Sequence, residues 1–120
     1  MATISIVDDD PSVRKALSRL VDSCGYHAEA YESADAFLEA DVLDETECLV
    51  LDVHLPGMSG LALQEELVRI GAACPIVFIT AFDEERPRSK AMAAGAIEFL
   101  HKPLEIDRLI GAISKAIEGL

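Results

Sequence analysis

The sequence is short of positive charge. Its 120 residues include 10 Lys and Arg against 22 Asp and Glu, for a formal net charge of −12, and no Lys or Arg lies between Leu20 and Val68. So acidic a surface repels a phosphate backbone, which argues against direct nucleic-acid binding. The basic cluster of Arg86, Arg88 and Lys90 is interpreted as the solvated start of a helix.

Paired cysteines and long apolar runs are missing as well. Cys24, Cys48 and Cys74 are odd in number, form no CxxC motif and stand in apolar stretches, so we expect buried free thiols in a reducing cytoplasm. No apolar run reaches the roughly 18 residues that a membrane span needs. Because the chain also enters a predicted strand almost at once, we expect neither a membrane segment nor a signal peptide.

The sequence has enough apolar residues to form a hydrophobic core, since they make up 51% of the chain. Its length suits one domain over residues 1–120. A weak alternation over His27–Tyr31 predicts a half-exposed strand. Four short apolar runs predict parallel strands that are buried on both faces: Ile4–Val7, Leu49–Leu51, Ile76–Ile79 and Phe99–His101. Helical spacing separates the strands, so the pattern is βα repeated five times, an α/β doubly wound sheet with helices on both faces.

Charged residues within two of the strands indicate the strand order. The second and last strands carry Glu29 and Glu98 and are predicted to be edges, whereas the first, third and fourth strands are more apolar and are predicted to be central. The order 2-1-3-4-5 follows. Asp10 is predicted to cap or flank the first helix, and Ser33 to cap the second. The acidic stretch 39–47 is predicted to be a solvated loop.

Polar residues follow the four apolar runs at the point where each run ends. Asp8 and Asp9 follow the first run, and Asp52, Thr80 and Lys102 follow the other three. Ligands of an open parallel sheet bind beyond the carboxyl ends of its strands. We therefore expect three carboxylates, a hydroxyl and an ammonium to converge, which predicts a cation site beside a phosphate site.

These residue types suit phosphoryl chemistry that depends on Mg²⁺. Neighbouring carboxylates repel one another, and Mg²⁺ relieves the repulsion by binding oxygen ligands in an octahedron that a backbone carbonyl and waters would complete. A carboxylate can also act as a nucleophile and form an acyl phosphate. Thr80 can donate a hydrogen bond to a phosphoryl oxygen, Lys102 can bind it as a point charge, and the small Ala81 lets its backbone N–H approach closely.

Five motifs, taken together and in order, resemble the receiver domain of two-component response regulators, the CheY-like family. They are Ile6-Val7-Asp8-Asp9, the ten residues from Leu51 to Gly60, Thr80-Ala81, Ala94-Gly95-Ala96 and Lys102-Pro103. The similarity covers essentially the whole chain, and Arg14-Lys15-Ala16-Leu17 is most similar to receivers of regulators with a LuxR-type DNA-binding domain. The resemblance implies the flavodoxin-like (βα)5 fold and a phosphoprotein of the bacterial cytoplasm.

The resemblance also implies a role for each acidic residue. Asp52 would accept a phosphoryl group from a phosphohistidine on a sensor histidine kinase. Asp9 and Asp52 would bind Mg²⁺ directly, and Asp8 would act mainly through water. The backbone carbonyl of His54 would be a further ligand of the metal.

The remaining implied roles concern detection of the phosphoryl group. Thr80, Lys102 and the backbone N–H of Ala81 would contact it. Phe99 would be the switch aromatic, whose ring turns inward when Thr80 moves toward phosphate, and the Lys102–Pro103 peptide would be cis. The fourth helix, last strand and last helix would form the responding face. That face could pair two receivers or control an attached or separate DNA-binding domain in transcription regulation; the alternative is a stand-alone receiver that relays phosphate or binds a partner protein.

Two other classes of protein fit less well. A Mg²⁺-dependent phosphatase with an aspartyl nucleophile would need a second carboxylate two residues beyond Asp52, where His54 stands. A nucleotide or flavin binder would need a Gly-rich loop after the first strand, where Asp8, Asp9 and Asp10 stand. We therefore interpret the chain as a phosphoacceptor domain and not as a turnover enzyme.

Overall fold

In a computed structural model, which describes residues 2–119, five parallel strands form one sheet. The strands are β1 Thr3–Val7, β2 His27–Tyr31, β3 Thr46–Asp52, β4 Ile76–Thr80 and β5 Glu98–His101. Their spatial order is β2-β1-β3-β4-β5, so the order predicted from the charged residues of the edge strands is confirmed. Glu29 of β2 is exposed and Glu98 of β5 is half-buried, as side chains at sheet edges can be.

Five helices cover both faces of the sheet. They are α1 Pro11–Ser23, α2 Ala34–Glu39, α3 Gly60–Arg69, α4 Glu85–Ala93 and α5 Ile106–Glu118. Side chains of α1 and α5 pack with one set of strand residues, and those of α2, α3 and α4 pack with the other set. Because successive strand residues point to opposite faces, burial on both faces requires the uninterrupted apolar runs that the sequence shows.

Three of the helices begin after a residue whose side chain caps the helix by accepting a backbone hydrogen bond. Asp10 Oδ1 accepts from the backbone N–H of Ser12 at 2.8 Å, which confirms the predicted cap of α1. Ser33 caps α2 as predicted, and Ser59 caps α3. The residues before α4 and α5 are both glutamates, and neither makes a side-chain capping bond.

The structure corrects the prediction of three buried thiols. Cys48 is buried in β3, but Cys74 is only half-buried and Cys24 is exposed. Cys24 continues the apolar spacing of α1, yet it lies at the C-cap, beyond the last turn that packs on the sheet. Within residues 2–119, no helix is long and apolar enough to span a membrane.

The predicted solvated start of α4 is also wrong for Arg88. Its Nη1 donates a hydrogen bond to the backbone oxygen of Phe99 at 3.2 Å, and its guanidinium carbon lies 4.9 Å from the centre of the Phe99 ring. Lys90 agrees better with the prediction, since it is exposed and pairs with Glu65 across 3.6 Å. The predicted loop 39–47 is also shorter than expected, because Glu39 is the last residue of α2 and β3 begins at Thr46. The buried Thr46 hydroxyl lies 2.7 Å from that of Ser5.

Candidate functional site

The carboxyl ends of the strands bring the predicted polar residues together. Asp8 follows β1, and Asp52 is the last residue of β3. One carboxylate oxygen from each of Asp8, Asp9 and Asp52 lies within 4.8 Å of the others. Asp8 is fully buried and Asp52 is 5% exposed, whereas Asp9 is exposed. The predicted convergence of the three carboxylates is therefore confirmed.

Lys102 joins this cluster from the end of β5. Its Nζ lies 2.9 Å from Asp8 Oδ2 and 3.3 Å from Asp52 Oδ2. Its backbone N–H donates to the carbonyl oxygen of Thr80 at 2.7 Å, so Lys102 contacts residues at the ends of the three central strands. The peptide bond to Pro103 is cis, as the resemblance implies.

Burial and like charge make Asp52 the unusual carboxyl of the site. Desolvation and the neighbouring Asp8 charge raise the pKa of Asp52, although Lys102 and the His54 N–H oppose the shift. Burial alone would lower the pKa of Lys102, but its hydrogen bond to Asp8 and the two carboxylate charges raise that pKa overall. The ammonium is therefore firmly charged, and it offsets only part of the carboxylate repulsion.

Backbone groups fix the orientation of both buried carboxylates. The N–H of His54 donates to Asp52 Oδ1 at 3.1 Å, and the N–H of Asp10 donates to Asp8 Oδ1 at 2.9 Å. Arg14 Nη1 donates to the backbone oxygen of Asp8 at 2.8 Å, a positioning contact that the sequence analysis did not assign. No local sequence pattern predicts that Arg14 bonds to this carbonyl, because the contact forms only when α1 packs on β1.

Gly60 is a second residue whose importance was missed, since the sequence indicates only a turn glycine. An alanine Cβ at this position would lie 2.2 Å from the backbone oxygen of Asp52. The N–H of Gly60 also donates to the carbonyl of Val53 at 2.9 Å. The first residue of α3 therefore lies directly against the end of β3, and only hydrogen fits between them.

The donor set fits a hard divalent cation. Asp8, Asp9 and Asp52 offer only oxygen atoms, and their close spacing suits the oxygen coordination that Mg²⁺ requires. His54 lies two residues beyond the end of β3, and Ala81 directly follows β4. The metal contact of the His54 carbonyl and the phosphoryl contact of the Ala81 N–H stay predictions.

Thr80 and Phe99 lie where the resemblance places a detector and a switch. The buried Thr80 ends β4, and its Oγ1 accepts from the N–H of Phe82 at 3.1 Å. The ring of Phe99 is 2% exposed and lies 5.9 Å from the ring of Phe78 on the neighbouring strand. Phe99 is thus part of the core, and its switching role stays a prediction.

The chain is similar to known bacterial regulators along nearly its whole length. The family model of the response regulator receiver domain matches residues 4–114. Nodulation protein W of Bradyrhizobium diazoefficiens is 42% identical over 117 residues, which cover 98% of this chain and 52% of that protein. Transcriptional regulatory protein TdiR of Thauera aromatica is 37% identical over 116 residues, covering 97% of this chain and 51% of that protein.

A solved structure agrees with the sequence comparisons. The structure of response regulator StyR superposes with a TM-score of 0.92 at 46% identity, covering 98% of this chain and 59% of that one. The chain thus spans about half the length of the curated relatives it matches.

Proposed function

The chain belongs to the response regulator receiver domain family, and from that premise we propose that Asp52 accepts a phosphoryl group from a phosphohistidine of a sensor histidine kinase. The observation that carries the proposal is the position of Asp52, which is buried beside Asp8 and lies 3.3 Å from Lys102 Nζ. Phosphoryl transfer depends mostly on positioning and charge neutralisation. Lys102 Nζ and the His54 N–H position the Asp52 carboxylate, and a bound Mg²⁺ would complete the charge neutralisation that Lys102 provides in part.

In the transfer, a carboxylate oxygen of Asp52 attacks phosphorus and the P–N bond to the kinase imidazole breaks. The electron pair of that bond returns to the ring, and an acyl phosphate remains on Asp52. Asp8, Asp9 and Asp52, with the His54 carbonyl, would hold Mg²⁺, which when bound neutralises charge on the phosphoryl oxygens. Because His54 occupies the position where an aspartyl phosphatase needs a second carboxylate, we assign a phosphoacceptor role and not turnover.

The phosphoryl group adds about two negative charges and strong acceptor oxygens beside Thr80 and Lys102. Lys102 Nζ, the Thr80 hydroxyl and the Ala81 N–H are the donors that would bind these oxygens. Thr80 must then turn toward Asp52, which moves the loop between β4 and α4. Phe99 lies on β5 beside β4, so its packing responds and alters the face formed by α4, β5 and α5.

We infer that this face controls an attached or separate DNA-binding domain, and that two phosphorylated receivers pair through it in the bacterial cytoplasm. Two features support a transcriptional output. The chain covers about half of each longer relative, and one of those relatives is named a transcriptional regulatory protein. The net charge of −12 also means that this chain itself repels DNA, so we assign the proposed DNA binding to a separate region or protein.

Acetyl phosphate and Mg²⁺ test the acceptor directly. We expect intact-mass spectrometry to show one phosphoryl adduct on the wild type, none on Asp52→Asn, and none on the wild type after the metal is chelated. Asp10→Asn is the matched control, because Asp10 caps α1 outside the carboxylate cluster and should be phosphorylated normally. An adduct on Asp52→Asn would show that Asp52 is not the acceptor.

A further inference from the structure

Three side chains join the two loops that follow β3 and β4. The ring of His54 donates through Nε2 to Glu84 Oε1 at 2.7 Å. The same ring meets the ring of Phe82 edge to face, with 4.7 Å between centres and 76° between planes. We call His54, Phe82 and Glu84 the interloop clasp. The two loops begin directly after the acceptor Asp52 and the detector Thr80.

Two of the clasp residues, His54 and Phe82, also donate backbone hydrogen bonds to the side chains of those same two site residues. The N–H of His54 donates to Asp52 Oδ1 at 3.1 Å, and the N–H of Phe82 donates to Thr80 Oγ1 at 3.1 Å. The clasp therefore fixes the spacing of the two peptide groups that orient the acceptor and detector side chains. Any motion of Thr80 toward Asp52 displaces Phe82 relative to His54.

Glu84 also connects the clasp to α4. It occupies the N-cap position of that helix, but its side chain makes no capping bond, unlike the caps of α1, α2 and α3. Its carboxylate bonds to His54 instead. The start of α4 is thus connected to the acceptor loop by the hydrogen bond between Glu84 and His54.

We propose that the clasp holds the β4–α4 loop in the arrangement seen here, with the Thr80 hydroxyl bonded within its own loop, and so opposes the movement of Thr80 toward a phosphoryl group. Glu84 is a positioning residue that acts through His54. This inference rests on the proposed function of Asp52 and Thr80. Because a ligand shifts an equilibrium between two arrangements only by its differential affinity, loosening the clasp must tighten the binding of any group that recruits Thr80.

Calorimetric titration with beryllofluoride and Mg²⁺, a mimic of the aspartyl phosphate, measures this effect. The hydrogen bond between His54 and Glu84 by itself corresponds to about a 3- to 10-fold change in affinity. We expect Glu84→Ala to bind the mimic tighter by that factor and Glu84→Gln, which keeps an acceptor oxygen for His54, to stay closer to the wild type. Glu85→Ala is the control for loss of charge, because Glu85 bonds to Ser89; it should stay within about 2-fold of the wild type.

A second measurement separates positioning from mere structural damage. We expect the amide NMR signals of Thr80 and Phe82 in mimic-free Glu84→Ala to shift toward their positions in the mimic-bound wild type. His54→Ala removes the ring contact as well as the hydrogen bond, so it should show both effects and bind the mimic at least as tightly as Glu84→Ala. The double variant should gain no affinity over His54→Ala, because the hydrogen bond is already lost in that variant. Both side chains are nearly half exposed, 45% for His54 and 47% for Glu84, so their removal leaves the core intact.

Three outcomes overturn the inference: unchanged or weaker affinity in Glu84→Ala, an equal gain in Glu85→Ala, or amide shifts away from the bound position. Failure of the proposed function looks different, because the wild type itself would then not bind the mimic. If the wild type binds and the clasp variants do not bind more tightly, the acceptor role stands and the clasp role falls.

Discussion

We expect the replacement of Gly60 by alanine to destabilise the fold and to damage the acceptor site at once. The new Cβ would lie 2.2 Å from the backbone oxygen of Asp52 and 3.0 Å from its carbonyl carbon. Real Cβ contacts are rarely closer than 3.0 Å, so α3 and the end of β3 must separate by at least about 0.8 Å. Overpacking of this kind costs about 1–3 kcal/mol, which lowers Tm by roughly 4–12 °C in a domain of this size.

The same displacement carries the Asp52 carboxylate with it. A misplacement near 1 Å reduces a positioned reaction by about 100-fold, so we expect the rate of phosphorylation by acetyl phosphate to fall by that order. Gly111→Ala is the matched control, because a Cβ there meets nothing within 4 Å in the middle of α5. It should stabilise the protein by about 0.5–1 kcal/mol and leave phosphorylation unchanged.

Thermal melts followed by circular dichroism test the expected loss of stability, and the rate of phosphorylation by acetyl phosphate tests the expected damage to the acceptor site. The reasoning is refuted if Gly60→Ala melts at or above the wild-type temperature, or if both alanine variants shift Tm in the same direction. A lower Tm with a normal phosphorylation rate would show that the helix yields while the acceptor stays in place, which would refute the second half.

Two further expectations follow from the electrostatics. In metal-free buffer at neutral pH, Asp52→Asn should be more stable than the wild type by about 1 kcal/mol, because burial and the Asp8 carboxylate within 4.8 Å both disfavour the charge on Asp52 and Lys102 offsets only part of this. The raised pKa of Asp52 means that the folded state keeps this carboxyl protonated up to a higher pH than the unfolded state does. The extra stability of Asp52→Asn should therefore vanish near the unfolded Asp pKa of about 3.9 and grow as pH rises through the folded pKa; extra stability that persists in acid contradicts this cause. Thiol labelling should modify the exposed Cys24 quickly, the half-buried Cys74 slowly and the buried Cys48 only after denaturation, since burial raises the pKa values of Cys48 and Cys74 to about 12 and about 11; fast labelling of Cys48 in the folded protein would contradict the burial.

The sequence was sufficient for the architecture and for the set of converging residues. Glu29 and Glu98 identified the edge strands, and the rule that ligands lie beyond strand ends brought Asp8, Asp52 and Thr80 together. These inferences succeed because they depend on periodicity and chain direction, which are local properties. The caps at Asp10 and Ser33 were predictable for the same reason, since the bonds they make span two and three residues.

The contacts that escaped prediction are all tertiary. Arg88 lies in a basic stretch that indicates solvation, yet its partner Phe99 is on a neighbouring strand. Gly60 looks like any turn glycine until α3 is packed against β3. Glu84 stands among acidic residues with no distinguishing pattern, and the partner that gives it a role, His54, is 30 residues away. Residue type and spacing along the sequence do not predict such contacts.

Lys102 connects Asp52 to the ends of β4 and β5. Its Nζ bonds to Asp8 and Asp52, while its backbone N–H is bonded to the carbonyl of Thr80. A phosphoryl group that draws Nζ away from Asp8 leaves the backbone bond intact, so the ends of β4 and β5 move together. Phe99 lies three residues before Lys102 in β5 and packs on Phe78 of β4. We therefore expect the β4–β5 side of the site to be the part that moves on phosphorylation, which is the side that carries Phe82, Glu84 and Arg88.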